Sequence, residues 1–166
     1  MKTLLVLRHA KSSWKDASQS DHDRPLNNRG LRAAPRMGRL MANRRLIPDL
    51  VLSSTARRAQ DTATLVTEAC GYDDVVETQP ELYLATPAEW LAVLRDVSTR
   101  SERVLVVGHN PGLEELVMLL GGEHQPLPTA TLAHLELPVE SWTELEELPR
   151  GRVVDVWRPR ELDEAD

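Results

Sequence analysis

The sequence predicts an α/β protein, a three-layer sandwich in which a mainly parallel sheet is flanked by helices on both faces. Three observations predict it. Short apolar runs alternate with longer amphipathic stretches along the chain, the pattern of strands joined by crossover helices. The runs at 3–7 and 103–107 are almost continuously apolar, as strands buried on both faces are. The 166 residues, 41% hydrophobic and 28% charged, suffice for one core without disulfide or metal.

Each element follows in order. Residues 3–7 are too short for a helix and form the first strand. Residues 28–43 read as a helix with Leu31, Ala34, Leu40 and Met41 among arginines, or one that starts near Pro35. Residues 49–52 form a second strand, and 55–70 a helix that Gly71 stops. A weak third strand lies at 75–76. Pro87 opens a helix that carries Leu91, Val93 and Leu94. Residues 103–107 are the strongest strand and run into Gly108-His109-Asn110-Pro111, where Asn110 caps and Pro111 begins a helix to Leu120. Residues 121–128 are a loop. Residues 131–137 and 152–157 alternate apolar with polar, as edge or half-exposed strands do. Residues 1–160 are therefore one domain, and 161–166 an acidic tail expected to be disordered.

Charge divides the chain. Residues 1–60 hold 13 Lys and Arg against 4 Asp and no Glu, a balance of +9; the rest hold 7 against 22, a balance of −15. Of the 20 basic residues 17 are Arg, the better fork for phosphate or carboxylate oxygens. A GC-rich genome explains an Arg bias but not its confinement to one half. Nucleic acid is disfavoured by the net charge of −6 and by an aromatic content of 4%. The lone Cys70 pairs with no second cysteine, and no apolar run approaches a membrane span. Charge at Lys2 and Arg8 comes too early for a signal peptide, so a cytoplasmic protein without a membrane contact is expected.

Ligands of open α/β sheets bind beyond the carboxyl ends of the strands. Here the first strand delivers Arg8-His9-Ala10-Lys11, the second leads to Arg57 and Arg58, and the strong later strand delivers Gly108-His109. Two histidines and two arginines at strand ends suit a phosphoryl group. Arginine forks stabilise its charge before and during transfer, and an unprotonated imidazole is a competent acceptor. A metal reading of His9 and His109 fails on ligand count. His22, His124 and His134 follow no ligand spacing, and the arginines repel a cation. No metal and no cofactor is expected.

Arg8-His9 after the first strand, Arg58-Ala59 with Thr62-Ala63 after the second, and Gly108-His109 after a later one resemble the histidine phosphatase superfamily, also called phosphoglycerate-mutase-like. Leu7-Arg8-His9-Ala10-Lys11-Ser12, Asp23-Arg24-Pro25-Leu26-Asn27 and Val107-Gly108-His109-Asn110-Pro111-Gly112 are most similar to its SixA-type phosphohistidine phosphatases. The likeness extends over about residues 2–137. It implies that His9 is the catalytic nucleophile, and that Arg8, Arg58 and His109 complete the phosphate pocket. Arg24 matches an arginine at the pocket mouth; alternatively it pairs with Asp21 or Asp23. Ala10 replaces the glycine that often follows Arg-His. Larger relatives carry an acid that protonates the leaving group, and Glu81 is in about the right stretch for it, or is a surface residue.

The expected partner is a phosphorylated protein or a small phosphorylated substrate. The leading reading is a metal-independent phosphatase working through a phosphohistidine on His9 and dephosphorylating phosphohistidine in proteins. A small-molecule phosphomonoesterase, and a catalytically silent phosphate- or phosphopeptide-binding module, are the alternatives.

Overall fold

The computed structural model describes residues 1–147 and 151–163. Six strands form one sheet: β1 (Lys2–Arg8), β2 (Leu50–Ser54), β3 (Val76–Gln79), β4 (Arg103–Gly108), β5 (Leu132–Leu137) and β6 (Arg152–Trp157). Their order is β3-β2-β4-β1-β5-β6. The β3–β2, β2–β4 and β4–β1 pairs are parallel, whereas β1–β5 and β5–β6 are antiparallel. The helices are α1 (Asn28–Asn43), α2 (Arg57–Cys70), α3 (Pro87–Arg95) and α4 (Gly112–Gly121).

Alternation along β1 explains the three layers. Leu5 and Leu7 face α1 and α2, packing with Ala34, Met37, Leu40, Ala59 and Val66. Leu4 and Val6 face the opposite way and pack with Trp90, Leu94, Leu113, Leu116 and Trp142. The strand is apolar on both faces because both faces are covered. Each buried Leu, Val or Met among these stabilises the fold by about 1.5–3 kcal/mol relative to exposure.

Local chemistry fixes the helix ends. The Asn27 side chain accepts the Gly30 N–H at 2.9 Å to start α1, and Thr86 and Glu89 form a reciprocal capping box on α3. Gly71 ends α2 in the left-handed region, φ +86°. A Cβ at Gly30 would overlap the Lys11 carbonyl, so only glycine lets α1 press against the loop after β1.

Some expectations are corrected. Helix α1 has the expected span, and only the alternative start near Pro35 is set aside: it runs unbroken through that residue, because one missing N–H is outweighed by a whole face packed on α2. Leu31 belongs to the exposed face rather than the apolar one. Strand β5 is interior, between β1 and β6, and of these last two strands β6 alone lies at an edge, opposite β3 at the other. Helix α4 starts at Gly112, with Pro111 in the cap position and Asn110 Oδ1 accepting the Glu114 N–H at 3.3 Å. Of the acidic stretch, Leu162 packs against the core beside α1, and Arg36 donates to the Leu162 and Asp163 carbonyls, both at 3.0 Å. Residues 164–166 lie outside the described residues.

Candidate active site

The sheet order places the site. β1 and β4 are neighbours in space although β2 and β3 intervene in sequence, so the strand order reverses at their carboxyl ends. Arg8 stands opposite Gly108, and the His9 N–H donates to the Gly108 carbonyl at 3.0 Å. The next side chains therefore emerge together. The His9 and His109 rings lie 5.1 Å apart between centroids, tilted by 54°.

The two imidazoles are wired differently. His9 Nδ1 lies 2.8 Å from the Ala10 carbonyl. A carbonyl only accepts, so Nδ1 carries the proton and Nε2 keeps its lone pair. Burial, then the charges of Arg58, Arg8 and Arg24, lower the His9 pKa to about 4, against the Ala10 bond that raises it. The ring is neutral at pH 7. His109 instead meets a side chain, with Nε2 2.8 Å from Ser54 Oγ, which also accepts the Ala56 N–H at 3.1 Å. Its Nδ1 is buried without a partner among the described residues. Burial, followed by His9, Arg58 and Arg8, takes its pKa to about 3, with Asp21 opposing.

Helix α2 brings Arg58, 3% exposed, to the same place. Thr62 locks the register: its hydroxyl accepts the Ala10 N–H at 2.9 Å and donates to the Arg58 carbonyl at 2.7 Å. Asp21, in the short turn Asp21–Asp23, then gathers two guanidinium groups. Oδ1 accepts from Arg24 Nε and Nη2 at 3.1 and 3.0 Å, and Oδ2 accepts from Arg58 Nη2 at 3.0 Å and from the Tyr83 hydroxyl. Tyr83, then Arg58 and Arg24, hold the Asp21 carboxyl near pKa 2 despite partial burial. Tyr83 also packs edge-on against both His109 and His22. Neighbouring Arg57 points to solvent and pairs with Asp61 at 3.6 Å.

Arg8 donates to the Leu127 carbonyl at 3.1 Å, and its Nε, like that of Arg58, is buried without a partner among the described residues. Arg8, His9, Arg24, Arg58 and His109 all line one cleft of about 220 Å³. Such a space, with three guanidinium groups and two neutral imidazoles, can hold a tetrahedral anion and offer it one nucleophilic nitrogen.

All four expected catalytic residues thus meet, and Arg24 joins them while also pairing with Asp21. Glu81 does not: it is exposed on the turn Pro80–Leu82 and is not among the cleft-lining residues. The sequence reading missed Lys11, Asn110 and Thr129 in the cleft wall, and Ser54 and Tyr83 behind it. Position after β1 was a signal for Lys11; Tyr83 arrives from a turn remote in sequence. His22 is half-buried against Tyr83, His134 stacks on Trp157, and His124 is exposed. Among the described residues, no three His, Cys, Asp or Glu are grouped to hold a metal ion. No helix among them is long and apolar enough to cross a membrane.

The pattern of the histidine phosphatase superfamily (branch 1) matches residues 4–85. A protein of Agrobacterium tumefaciens assigned as the phosphohistidine phosphatase SixA is similar in structure, with TM-score 0.82 and 32% identity over 95% of this chain and 98% of that one. The protein histidine phosphatase SixA, solved with tungstate, shares the fold at TM-score 0.83 and 24% identity, covering 97% of this chain and 99% of that one. An uncharacterised chloroplastic protein of Arabidopsis thaliana is 31% identical over 150 residues, 85% of this chain and 69% of its own.

Proposed function

Because the chain belongs to the histidine phosphatase superfamily, in its SixA-like branch, we propose that it hydrolyses phosphohistidine in proteins through a phosphorylated His9. The observation that carries the reading is the His9 hydrogen bond to the Ala10 carbonyl. It turns the ring so that Nε2 is the free nucleophile, held unprotonated at neutral pH.

In the first step His9 Nε2 attacks phosphorus, the substrate P–N bond breaks, and the substrate imidazole leaves with a proton. Arg8, Arg24 and Arg58 hold the phosphoryl oxygens. The Ser54 hydroxyl donates to His109 Nε2, so that His109 Nδ1–H is the donor offered to the oxygen on which charge accumulates. In the second step water attacks phosphorus, the P–Nε2 bond breaks, and inorganic phosphate leaves with the water's oxygen and its protons. The charge is met by fixed guanidinium groups, and chelation with EDTA is expected to leave turnover unchanged. A loss restored by a divalent metal would contradict this.

The leaving group supports phosphohistidine over alkyl phosphates. An alkoxide needs a proton from a positioned acid, whereas an imidazole of pKa about 6.5 leaves already protonated. Among the described residues no carboxyl lines the cleft, and Asp21 behind it is ionised far below neutrality. The test is kcat/KM for a phosphohistidine peptide against that for a sugar phosphate. The peptide is expected to win by at least tenfold. A tenfold preference for the sugar phosphate leaves a small-molecule phosphomonoesterase instead. No turnover of either, nor of an aryl phosphate, leaves a silent binding module.

A further inference from the structure

The basic surplus of residues 1–60 exceeds what the candidate cleft uses, and much of the remainder lies beside it. A groove of about 420 Å³ shares Arg8, Lys11 and Thr129 with the cleft and is walled beyond them by Arg29, Arg158 and Arg160. Through Arg29 and Arg160 it continues into a hollow of about 240 Å³ bordered by Arg32 and Arg36. Glu161 is the one acidic residue lining either space among the described residues, and it is paired with Arg158 at 3.5 Å.

The wall is built rather than incidental. Arg29, Arg32 and Arg36 follow at i, i+3 and i+7, one stripe of α1. Arg36 donates to the Leu162 carbonyl at 3.0 Å, and Arg158 donates to the Pro126 carbonyl and Gln125 Oε1, also at 3.0 Å; these bonds fix the opposite bank. Among the described residues no hydrogen bond or ion pair engages the side chains of Lys11, Arg29, Arg32 or Arg160. A different hollow, around Pro111, Met118 and Leu119, carries Glu114 and Glu115 and no Lys or Arg. The surroundings of the cleft therefore attract anions in one direction only.

We propose that this groove docks an acidic segment of the phosphorylated protein, carboxylates flanking the phosphorylated residue. The proposal rests on the phosphoprotein reading above and names the side of the substrate that is recognised. Several spaced arginines along two continuous hollows match a run of carboxylates better than one second phosphate, and guanidinium forks pair with carboxylates at two points. No aromatic side chain lines either space, so the stacking platform of single-stranded nucleic acid is missing there.

The test is fluorescence anisotropy at low salt with a labelled, unphosphorylated Asp/Glu-rich peptide and its Asn/Gln counterpart. The probe is free of the phosphatase chemistry. Arg29→Glu/Arg160→Glu is the variant; Arg29 is in the first turn of α1, where a glutamate suits the helix end. The acidic peptide is expected to bind at least tenfold more tightly than the neutral one, and the variant and 0.5 M salt are each expected to abolish that ratio. Aryl phosphate turnover of the variant stays within about threefold. Equal affinities in the intact protein, or a ratio the variant leaves untouched, overturn the proposal. So does an oligonucleotide or a small bisphosphate that outcompetes the acidic peptide. Absence of phosphohistidine hydrolysis alongside a charge-reversible peptide ratio counts against the phosphohistidine reading and leaves the groove standing.

Discussion

The carboxyl ends of β1 and β4 are almost interchangeable as backbone. They are adjacent, parallel and in register, and each delivers a buried histidine to one cleft. Their partners separate them. His9 is bonded to the main chain of its own neighbour, a partner that cannot change sides, so its tautomer is fixed. His109 is bonded to the Ser54 hydroxyl, which can either donate or accept. The fold supplies two equivalent positions with different partners, and in the proposed reaction the first serves as nucleophile and the second, with Ser54 donating to its Nε2, as donor.

Breaking the two histidines in turn gives the largest expected difference. His9→Ala is expected to lose turnover by about 10⁴-fold or more, with no phosphoenzyme, while circular dichroism stays native. His109→Ala is expected to lose only about 10²–10³-fold in kcat/KM, the usual cost of one charge-stabilising donor. Equal losses would erase the division of labour.

The arginine pair sharpens the contrast within one helix turn. Adjacent helical residues point about 100° apart, and only Arg58 reaches Asp21 and the cleft. Arg58→Ala is expected to lower kcat/KM by about 10²-fold, and Arg57→Ala by less than about twofold, measured on the same substrate. A reversed ranking would show the register of α2 to be wrong.

Ser54→Ala removes the partner of His109 and leaves His9 wired as before. A loss of about tenfold in kcat/KM is expected, with phosphoenzyme still formed. A variant that no longer becomes phosphorylated would show that Ser54 acts through His9.

The smallest effect is on stability. Both histidines are neutral in the folded protein, with pKa values near 4 and 3, against about 6.5 when unfolded. Between those values the unfolded chain binds more protons, so stability present above pH 6.5 is lost as pH falls toward 4. His9 alone accounts for on the order of 2 kcal/mol by pH 4.5. Asp21 adds a further loss below its unfolded value, toward pH 2. Thermal melting from pH 7 to 4.5 is expected to fall less steeply for His9→Gln than for the unchanged protein; parallel curves would count against a buried neutral His9.

Much of this was legible in the sequence, and the gaps have physical causes. Residues 103–107 read as a buried strand because both faces are apolar, and histidine directly after it reads as a site because strand ends are where parallel sheets bind ligands. The interior place of β5 was not legible. Its alternation reflects His134 and Glu136 shielded by β6 on one side, which only the pairing reveals. The helix at 28–43 was legible in spite of Pro35, since packing of the α1 face on α2 overrides that residue's local preference. Asp21 was read as a partner for Arg24, but its hold on Arg58 and Tyr83 joins three segments remote in sequence, and no local spacing encodes that. Glu81 was sought in the right stretch, yet the turn that carries it directs Tyr83, two residues on, to the site.

The central claim is that His9 Nε2 forms the covalent bond to phosphorus. Rapid acid-free quenching during turnover, followed by ³¹P–¹H NMR and peptide mapping of the trapped phosphoenzyme, tests it directly. The account predicts one phosphate per chain, on Nε2 of His9. Phosphate on His109, or on Nδ1 of His9, would contradict it.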